Sequence, residues 1–302
     1  MSFLSKVSKG KIKKPRLVLI YGTDGTGKSS FGAQAPKPIF LGAESGTDNL
    51  DVSRFPTPHS WTDIEKQLGE LLTVDHEYKT LVIDSLDWIE PLLNQHICDR
   101  YGTKSIDLAA GGYGKGYVEA VNEWIKFNKI LTRIREEKGM NIILIAHSEI
   151  IKFTDPSTQS EYDRYCLKLY KKSAALFREF CDAVLFANFE VFSKKDGSKT
   201  RAYGDGVRVI YTERRPGFDA KNRFNLPFSM PLSYEDFSNA CDTATSELPE
   251  TVLKSILEIV EELQDQELKQ KIITESKKVE NDVAKLQSYK NKLLKILEEK
   301  TT

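Results

Sequence analysis

Residues 22 to 29 read GTDGTGKS, directly after the apolar run RLVLIY. The pattern G-x-x-x-x-G-K-[ST] demands a strand ahead of it and a helix behind it, so it constrains the fold more than any other stretch. Its glycines let backbone N–H groups curl around phosphate oxygens, and the helix that follows turns its positive end toward them. Gly22, Thr23, Asp24, Gly25, Thr26, Gly27, Lys28, Ser29 and Ser30 form the expected cradle. Lys28 would reach the β- and γ-phosphates of a nucleotide such as ATP, and Ser29 would ligate Mg²⁺.

The chain on either side has the alternation that such a cradle requires. RLVLIYG (16–22), PIFLGAE (38–44), TLVIDSLDWI (80–89) and MNIILIAHSE (140–149) read as buried strands. Between them lie a short helix from KSSFGAQA and a second over SWTDIEKQLGELLT, with Ile64, Leu68, Leu71 and Leu72 at helical spacing. A helical stretch near 88–100, the Gly-rich loop AAGGYGKGY and a long amphipathic helix near 117–137 follow. Apolar strands alternating with helices predict an α/β fold whose mostly parallel sheet is covered on both faces. DAVLFANFEVF, KKDGSK and GVRVIYTER then read as strand, Asp-Gly turn and strand, an antiparallel hairpin at the sheet edge.

From residue 247 the sequence is highly charged, with apolar residues three or four apart. Leu253, Ile256, Val260 and Leu263 make one stripe; Leu268, Ile272, Val279, Val283, Leu286, Leu293 and Leu297 make another. This predicts a C-terminal helical hairpin or coiled coil, either packed on itself or serving as an association arm. The expected organisation is a basic arm over 1–14, a core over 15–246 and a helical segment over 247–302.

Lys plus Arg and Asp plus Glu both number 44, so net charge gives no reason to expect a polyanion partner, and local patches would have to supply one. Cys98, Cys166, Cys181 and Cys241 show no zinc-ligand spacing and read as reduced, structural thiols. The start MSFLSKVSKGKIKKP is basic but lacks the apolar core of a signal peptide, and no apolar run has the length of a membrane span. A cytoplasmic location without membrane contact is the expectation.

Three more residues suit the loop. Asp84 ends the apolar LVI and would hold Mg²⁺ through water. Glu44 ends the strand after the loop helix; strand ends share one edge of a parallel sheet, so it can act as base for an attacking water. Its plain alternative is a solvated loop acid. His147 ends IILIAH, where it would sense the γ-phosphate or simply cap the strand.

A phosphate loop, a strand ending in Glu, LVIDSL and IILIAH, in that order, resemble the RecA-like ATPases. YGTDGTGKSS, LVIDSLDWIE, GYGKGY, a long helix with Trp124, NIILIAHSEI, CDAVLF and DAKNRFNLP resemble more closely the phage-encoded RecA-like ATPases of the Sak type, proposed as single-strand annealing proteins. The likeness covers residues 14 to 240, departs in having His147 where RecA has Gln, and includes no recognisable RecA polymerisation segment.

The resemblance implies a Mg²⁺-dependent ATPase core acting on single-stranded DNA in phage recombination or annealing, in the host cytoplasm. It implies a homo-oligomer, ring or filament, with ATP at the subunit interface, and allows a single-strand-binding protein as partner. In AKNRFNLP, similar to the KNRFG segment of bacterial RadA with Asn225 in place of Gly, Lys221 and Arg223 become candidates for a finger reaching a neighbour's γ-phosphate. Two segments stand where RecA-like proteins place DNA-binding loops. One offers Lys104, Tyr113, Lys115 and Tyr117; the other offers Lys152, Arg164, Lys168, Lys171 and Lys172. The basic arm, with Lys6, Lys9, Lys11, Lys13 and Lys14, could add phosphate contacts or only solubility. The alternatives are a P-loop small-molecule kinase and a non-hydrolysing DNA-binding module whose assembly ATP sets.

Overall fold

The apolar run after Arg16 becomes strand β1 (Leu17–Gly22), all six residues buried. A strand buried on both faces must be covered by two layers, and side-chain alternation assigns each residue to one of them. Leu17, Leu19 and Tyr21 enter one apolar cluster, while Val18 and Ile20 enter the other. The computed structural model describes residues 7, 14–42, 45–154, 160–190, 192–196, 199–203, 206–246, 249–261, 266–279, 285–286, 288–290 and 293.

After β1 come α1 (Lys28–Ala33), β2 (Pro38–Leu41), β3 (Ser53–Arg54), α2 (Trp61–Thr73), β4 (Thr80–Ile83), α3 (Leu86–Tyr101), α4 (Lys115–Glu137), β5 (Asn141–Thr154), β6 (Glu161–Leu167) and α5 (Lys171–Phe180). The second half holds β7 (Ala183–Phe189), β8 (Phe192–Asp196), β9 (Lys199–Tyr203), β10 (Arg208–Tyr211), β11 (Lys221–Asn222), β12 (Ser229–Pro231) and α6 (Tyr234–Ser246). The main sheet runs β12-β10-β7-β1-β5-β4-β2-β3, with β11 joining β7 and β6 joining β5. Pairs from β7 to β3 along this path are parallel; β10, β12, β11 and β6 pair antiparallel. The fold is thus the expected mostly parallel α/β sheet with an antiparallel edge, followed by helices. β5 stands between β1 and β4, so the strand carrying the phosphate loop and the strand before Asp84 are not neighbours.

One face is covered by α2, α3, α4 and α5. At its centre the Trp124 ring meets Trp61, Phe127 and Phe177 edge-on, with centroids 5.2, 5.1 and 4.9 Å away. Such T-shaped contacts place ring edges against ring faces, the favoured geometry of aromatic quadrupoles. The other face carries α1 and α6 through Phe31, Tyr234, Phe237 and Cys241. Helix α2 starts where Ser60 accepts a hydrogen bond from the Asp63 N–H at 3.2 Å, a cap that satisfies one of the free donors of the first turn.

Two expectations need correction. Residues 148–172 are not a loop: β5 continues to Thr154 and pairs with β6 from Ser148↔Leu167 to Thr154↔Glu161. Beyond His147 the outer half of β5 is largely exposed, so its sequence carries no apolar alternation to announce it, while β6 turns Arg164 and Leu167 inward. At the edge, β7 and β10 pair antiparallel as expected, but Lys194, Lys195, Asp196 and Lys199 belong to a separate two-stranded ribbon, β8–β9, inserted between them. Of the basic arm, Lys6, Lys9, Lys11 and Lys13 lie outside the described residues, and Lys14 pairs with Glu136 of α4 at 2.7 Å.

Helices α7 (Pro249–Glu261) and α8 (Gln266–Lys278) turn their apolar stripes toward each other. Val252, Ile256, Val260, Ile272, Leu286 and Leu293 form a third cluster, distinct from the two that sandwich the sheet. Leu263, Val283 and Leu297 of the expected stripes lie outside the described residues. No helix among the described residues is long and apolar enough to cross a membrane.

Candidate functional site

The register of the sheet brings the site together at its carboxyl edge. Gly22 stands abreast of His147 on one side and of Ala187 on the other. A Cβ at Gly22 would sit 2.0 Å from the Ala187 carbonyl oxygen, so only glycine lets β1 and β7 pass this closely where the loop departs. Gly27 takes φ 99°, the left-handed turn that leads into α1. The Thr26 hydroxyl braces the loop by donating to the Thr23 carbonyl at 3.0 Å.

Lys28 is buried, and its Nζ donates to the carbonyl oxygens of Gly22 and Thr23 at 3.0 and 2.8 Å. The Ser29 hydroxyl donates to Asp84 Oδ2 at 2.6 Å, joining the first turn of α1 to the residue after β4. A hydroxyl and a buried carboxylate at hydrogen-bond distance form a hard oxygen pair, the donor chemistry that suits Mg²⁺ beside phosphate. The residues present therefore fit the ion. When bound, Mg²⁺ would draw charge from the phosphate oxygens, with Ser29 and Asp84 as the residues that hold it.

His147 is fixed by a residue the sequence reading passed over. Asp87 Oδ1 accepts from the His147 backbone N–H at 2.9 Å, and Asp87 Oδ2 lies 2.8 Å from its Nδ1. Burial disfavours the charged form of Asp87, but the hydrogen bonds from His147 outweigh it and hold the carboxyl below its ordinary range. The carboxylate orients the ring and leaves Nε2 facing the loop, 3.5 Å from Asp24 Oδ1. Asp87 lies three residues beyond Asp84 in the first turn of α3, the one sequence signal that could have found it.

These groups line a cleft of about 520 Å³. Trp88, Lys168 and Arg208 complete its wall, and Gly46, Asn49 and Leu50 close another side. Trp88 is 50% exposed, whereas Trp61 and Trp124 are fully buried. Intrinsic fluorescence should therefore report nucleotide binding through Trp88 alone. Titrating ATP should shift the emission of the wild type and leave Trp88→Phe silent; an equal shift in Trp88→Phe would place the nucleotide elsewhere.

The remaining expected residues scatter. Glu44 lies outside the described residues. Within its own chain the Lys221 Nζ donates to the carbonyls of Arg178, Glu179 and Cys181 at 3.0, 2.9 and 2.6 Å, capping the end of α5. A cation there satisfies the carbonyls that a helix leaves unpaired, which ties the side chain down. Arg223 is exposed, with its Nη1 3.6 Å from Asp182 Oδ1. Its neighbour β11 pairs with Val184 and Ala183, at the amino end of the sheet and away from the phosphate loop.

Arg164 is also corrected. It is buried, its Nη2 donates to Asp219 Oδ1 at 3.0 Å, and its guanidinium lies 4.9 Å from the Phe153 ring centroid. A buried guanidinium needs an anionic partner, and Asp219 is that partner, so Arg164 is not offered to a polymer. Tyr117 stacks on Tyr170 with centroids 4.4 Å apart and is half-buried. Tyr113 is fully exposed, and Lys104, Lys115, Lys171 and Lys172 are exposed. Lys152 is exposed on the ribbon, 3.7 Å from Glu161. Lys168, expected on a polymer loop, lines the cleft beside the Gly-rich loop.

Comparison with known proteins gives three likenesses. A family model described as an AAA domain matches residues 14–224. The SPbeta prophage-derived uncharacterized protein YorG of Bacillus subtilis (strain 168) is 26% identical over 150 residues, an alignment taking in 48% of this chain and 44% of that protein. The chain therefore matches less than half the length of this relative. Among solved structures, the RadB recombinase aligns over 68% of this chain and 84% of its own, with 16% identity and a TM-score of 0.39.

Proposed function

The chain belongs to the AAA domain family, and from that premise we propose that it is a Mg²⁺-dependent ATPase acting on single-stranded DNA in phage recombination or annealing. One observation carries the reading: Lys28, Ser29, Asp84 and the Asp87-oriented His147 converge on one cleft at the carboxyl edge of a parallel sheet. Lys28 would hold the terminal phosphates, Ser29 and Asp84 the ion, and His147 would sense whether the γ-phosphate is present. Glu44 remains the proposed base for water.

Support for the DNA half comes from the ribbon β5–β6, which grows out of the strand that carries His147. Lys152 on that ribbon, with exposed Tyr113 and Lys115 in the Gly-rich stretch, offers cations for phosphates and a ring for base stacking. The prophage origin named for the Bacillus subtilis relative supports a phage setting, and hence the cytoplasm of a host. Arg223, exposed and turned away from its own cleft, suits a homo-oligomer in which it reaches a neighbour. The separate apolar cluster of α7 and α8 supports a helical appendage packed on itself after a core ending near residue 246.

ATP hydrolysis measured with and without single-stranded DNA at low salt tests the proposal, with electron microscopy for rings or filaments. The expected result is phosphate release that DNA stimulates, from an assembled protein. Failure to bind DNA at low salt would remove the recombination reading, and phosphate appearing on an added metabolite would favour a kinase.

A further inference from the structure

We propose that Lys168 and Arg208 complete the triphosphate site from within the same chain, Lys168 at the γ-phosphate and Arg208 at the phosphates cradled by the loop. The inference rests on the ATPase reading and adds to it the residues that balance charge.

The cleft has a charge deficit without them. Mg²⁺ and ATP together carry about two negative charges, and Asp24 and Asp84 add two more against Lys28. Among the described residues lining the cleft, the other cations are Lys168 and Arg208. Each is aimed by the fold. The ribbon closes at the pair Ser148↔Leu167, and the next residue, Lys168, donates its backbone N–H to the His147 carbonyl at 3.0 Å. The lysine thus stands beside the residue that faces the terminal phosphate. Arg208 opens β10, held by the Phe189 register and by the Leu232 N–H bonding to its carbonyl at 3.1 Å. Its Nη1 lies 3.2 Å from where a Cβ on Gly27 would be, so the guanidinium overhangs the loop itself.

Arg223 cannot do this work in its own chain. Its backbone N–H bonds to the Asp182 carbonyl, and Asp182 is five residues before Ala187, the partner of Gly22. Along an extended strand that is about 16 Å, beyond the reach of an arginine side chain from the far edge.

During hydrolysis the water oxygen bonds to the γ-phosphorus as the bond to the bridging oxygen breaks. The electron pair stays on the ADP oxygen; of the water's two protons, one stays on inorganic phosphate and the other passes to the proposed base Glu44 and on to solvent. A cation beside the γ-phosphate stabilises the charge that spreads during this exchange, whereas one beside the loop favours bound nucleotide throughout.

The test combines single variants with mixing. Lys168→Ala should lower kcat by about 10²-fold with little change in KM, and Lys168→Arg should restore part of it. Arg208→Ala should raise KM about tenfold with a smaller loss of kcat. Each variant is then mixed with Lys28→Ala at high protein concentration. Residues acting within their own cleft give mixtures no more active than the sum of the parts. Recovered activity on mixing Lys28→Ala with Lys168→Ala would overturn the assignment, because an intact lysine would then be serving a neighbour's cleft. An unchanged kcat in Lys168→Ala would also overturn it. A wild type that turns over no ATP would count against the ATPase reading alone; the assignment would then be decided by affinities for ATP and ADP. Lys168→Ala should erase a preference for ATP, and a preserved preference would refute the role of Lys168.

Discussion

Lys28→Ala should lower ATP turnover by roughly 10²–10³-fold and weaken ATP binding, while the protein stays folded. The expectation comes from where the ammonium sits. It is buried in the loop, with its donors on the Gly22 and Thr23 carbonyls, so it presents a fixed charge where the terminal phosphates would lie. A preorganised charge in a partly dry site stabilises developing negative charge without reorganising at the moment of reaction. Lys28 itself lines the cleft, so water entering the space it vacates can replace the lost donor, and the fold loses little. Lys28→Arg should also be strongly impaired, since a planar fork cannot occupy the space of a compact ammonium within the turn. Circular dichroism would confirm an intact fold, and steady-state phosphate release would read the loss. Turnover within a few-fold of wild type would mean that the reaction occurs somewhere other than this cleft.

Trp124→Ala has the largest expected effect on stability, about 3–5 kcal/mol. Trp124 is completely buried on α4 and touches Trp61 of α2, Phe127 of its own helix and Phe177 of α5. Truncation removes the apolar surface of the largest side chain and leaves a void that three aromatic neighbours cannot collapse into without leaving their rotamers. Trp124→Phe keeps most of the ring and should cost markedly less. Urea unfolding with unchanged slope would give the difference directly. A loss below about 1 kcal/mol for the alanine variant would mean that this side of the sheet is not the cooperative core described.

The parallel core was legible because its strands are buried on both faces. LVLIY, PIFL, TLVI and NIILIA are continuous apolar runs, and the helices between them keep helical spacing. The turn from Gly22 into α1 and the placing of Asp84 beside Ser29 were legible for a related reason, since both are local to a strand end. The outer half of β5 was not legible, because residues 149–152 are exposed on both faces and have no need to alternate. Arg164 was misread because its partner, Asp219, lies 55 residues further along the chain, a distance no spacing rule spans. The contacts of Lys221 were not legible because the carbonyls it caps lie at the end of α5, some forty residues earlier in the chain. Arg208 gave no signal at all: it reaches the loop only because β10, antiparallel to β7, begins at the carboxyl edge beside Phe189. Asp87 was within reach, three residues past a recognised acid, and needed only the idea that His147 must be held.

If Lys28, Ser29 and Asp84 hold Mg²⁺ and ATP in this cleft, calorimetric titration of MgATP into the purified chain will register the binding. The structure predicts one nucleotide bound per chain in the wild type and none measurable in Lys28→Ala. A wild type that binds no nucleotide, or a Lys28→Ala variant that binds it equally well, would contradict the account.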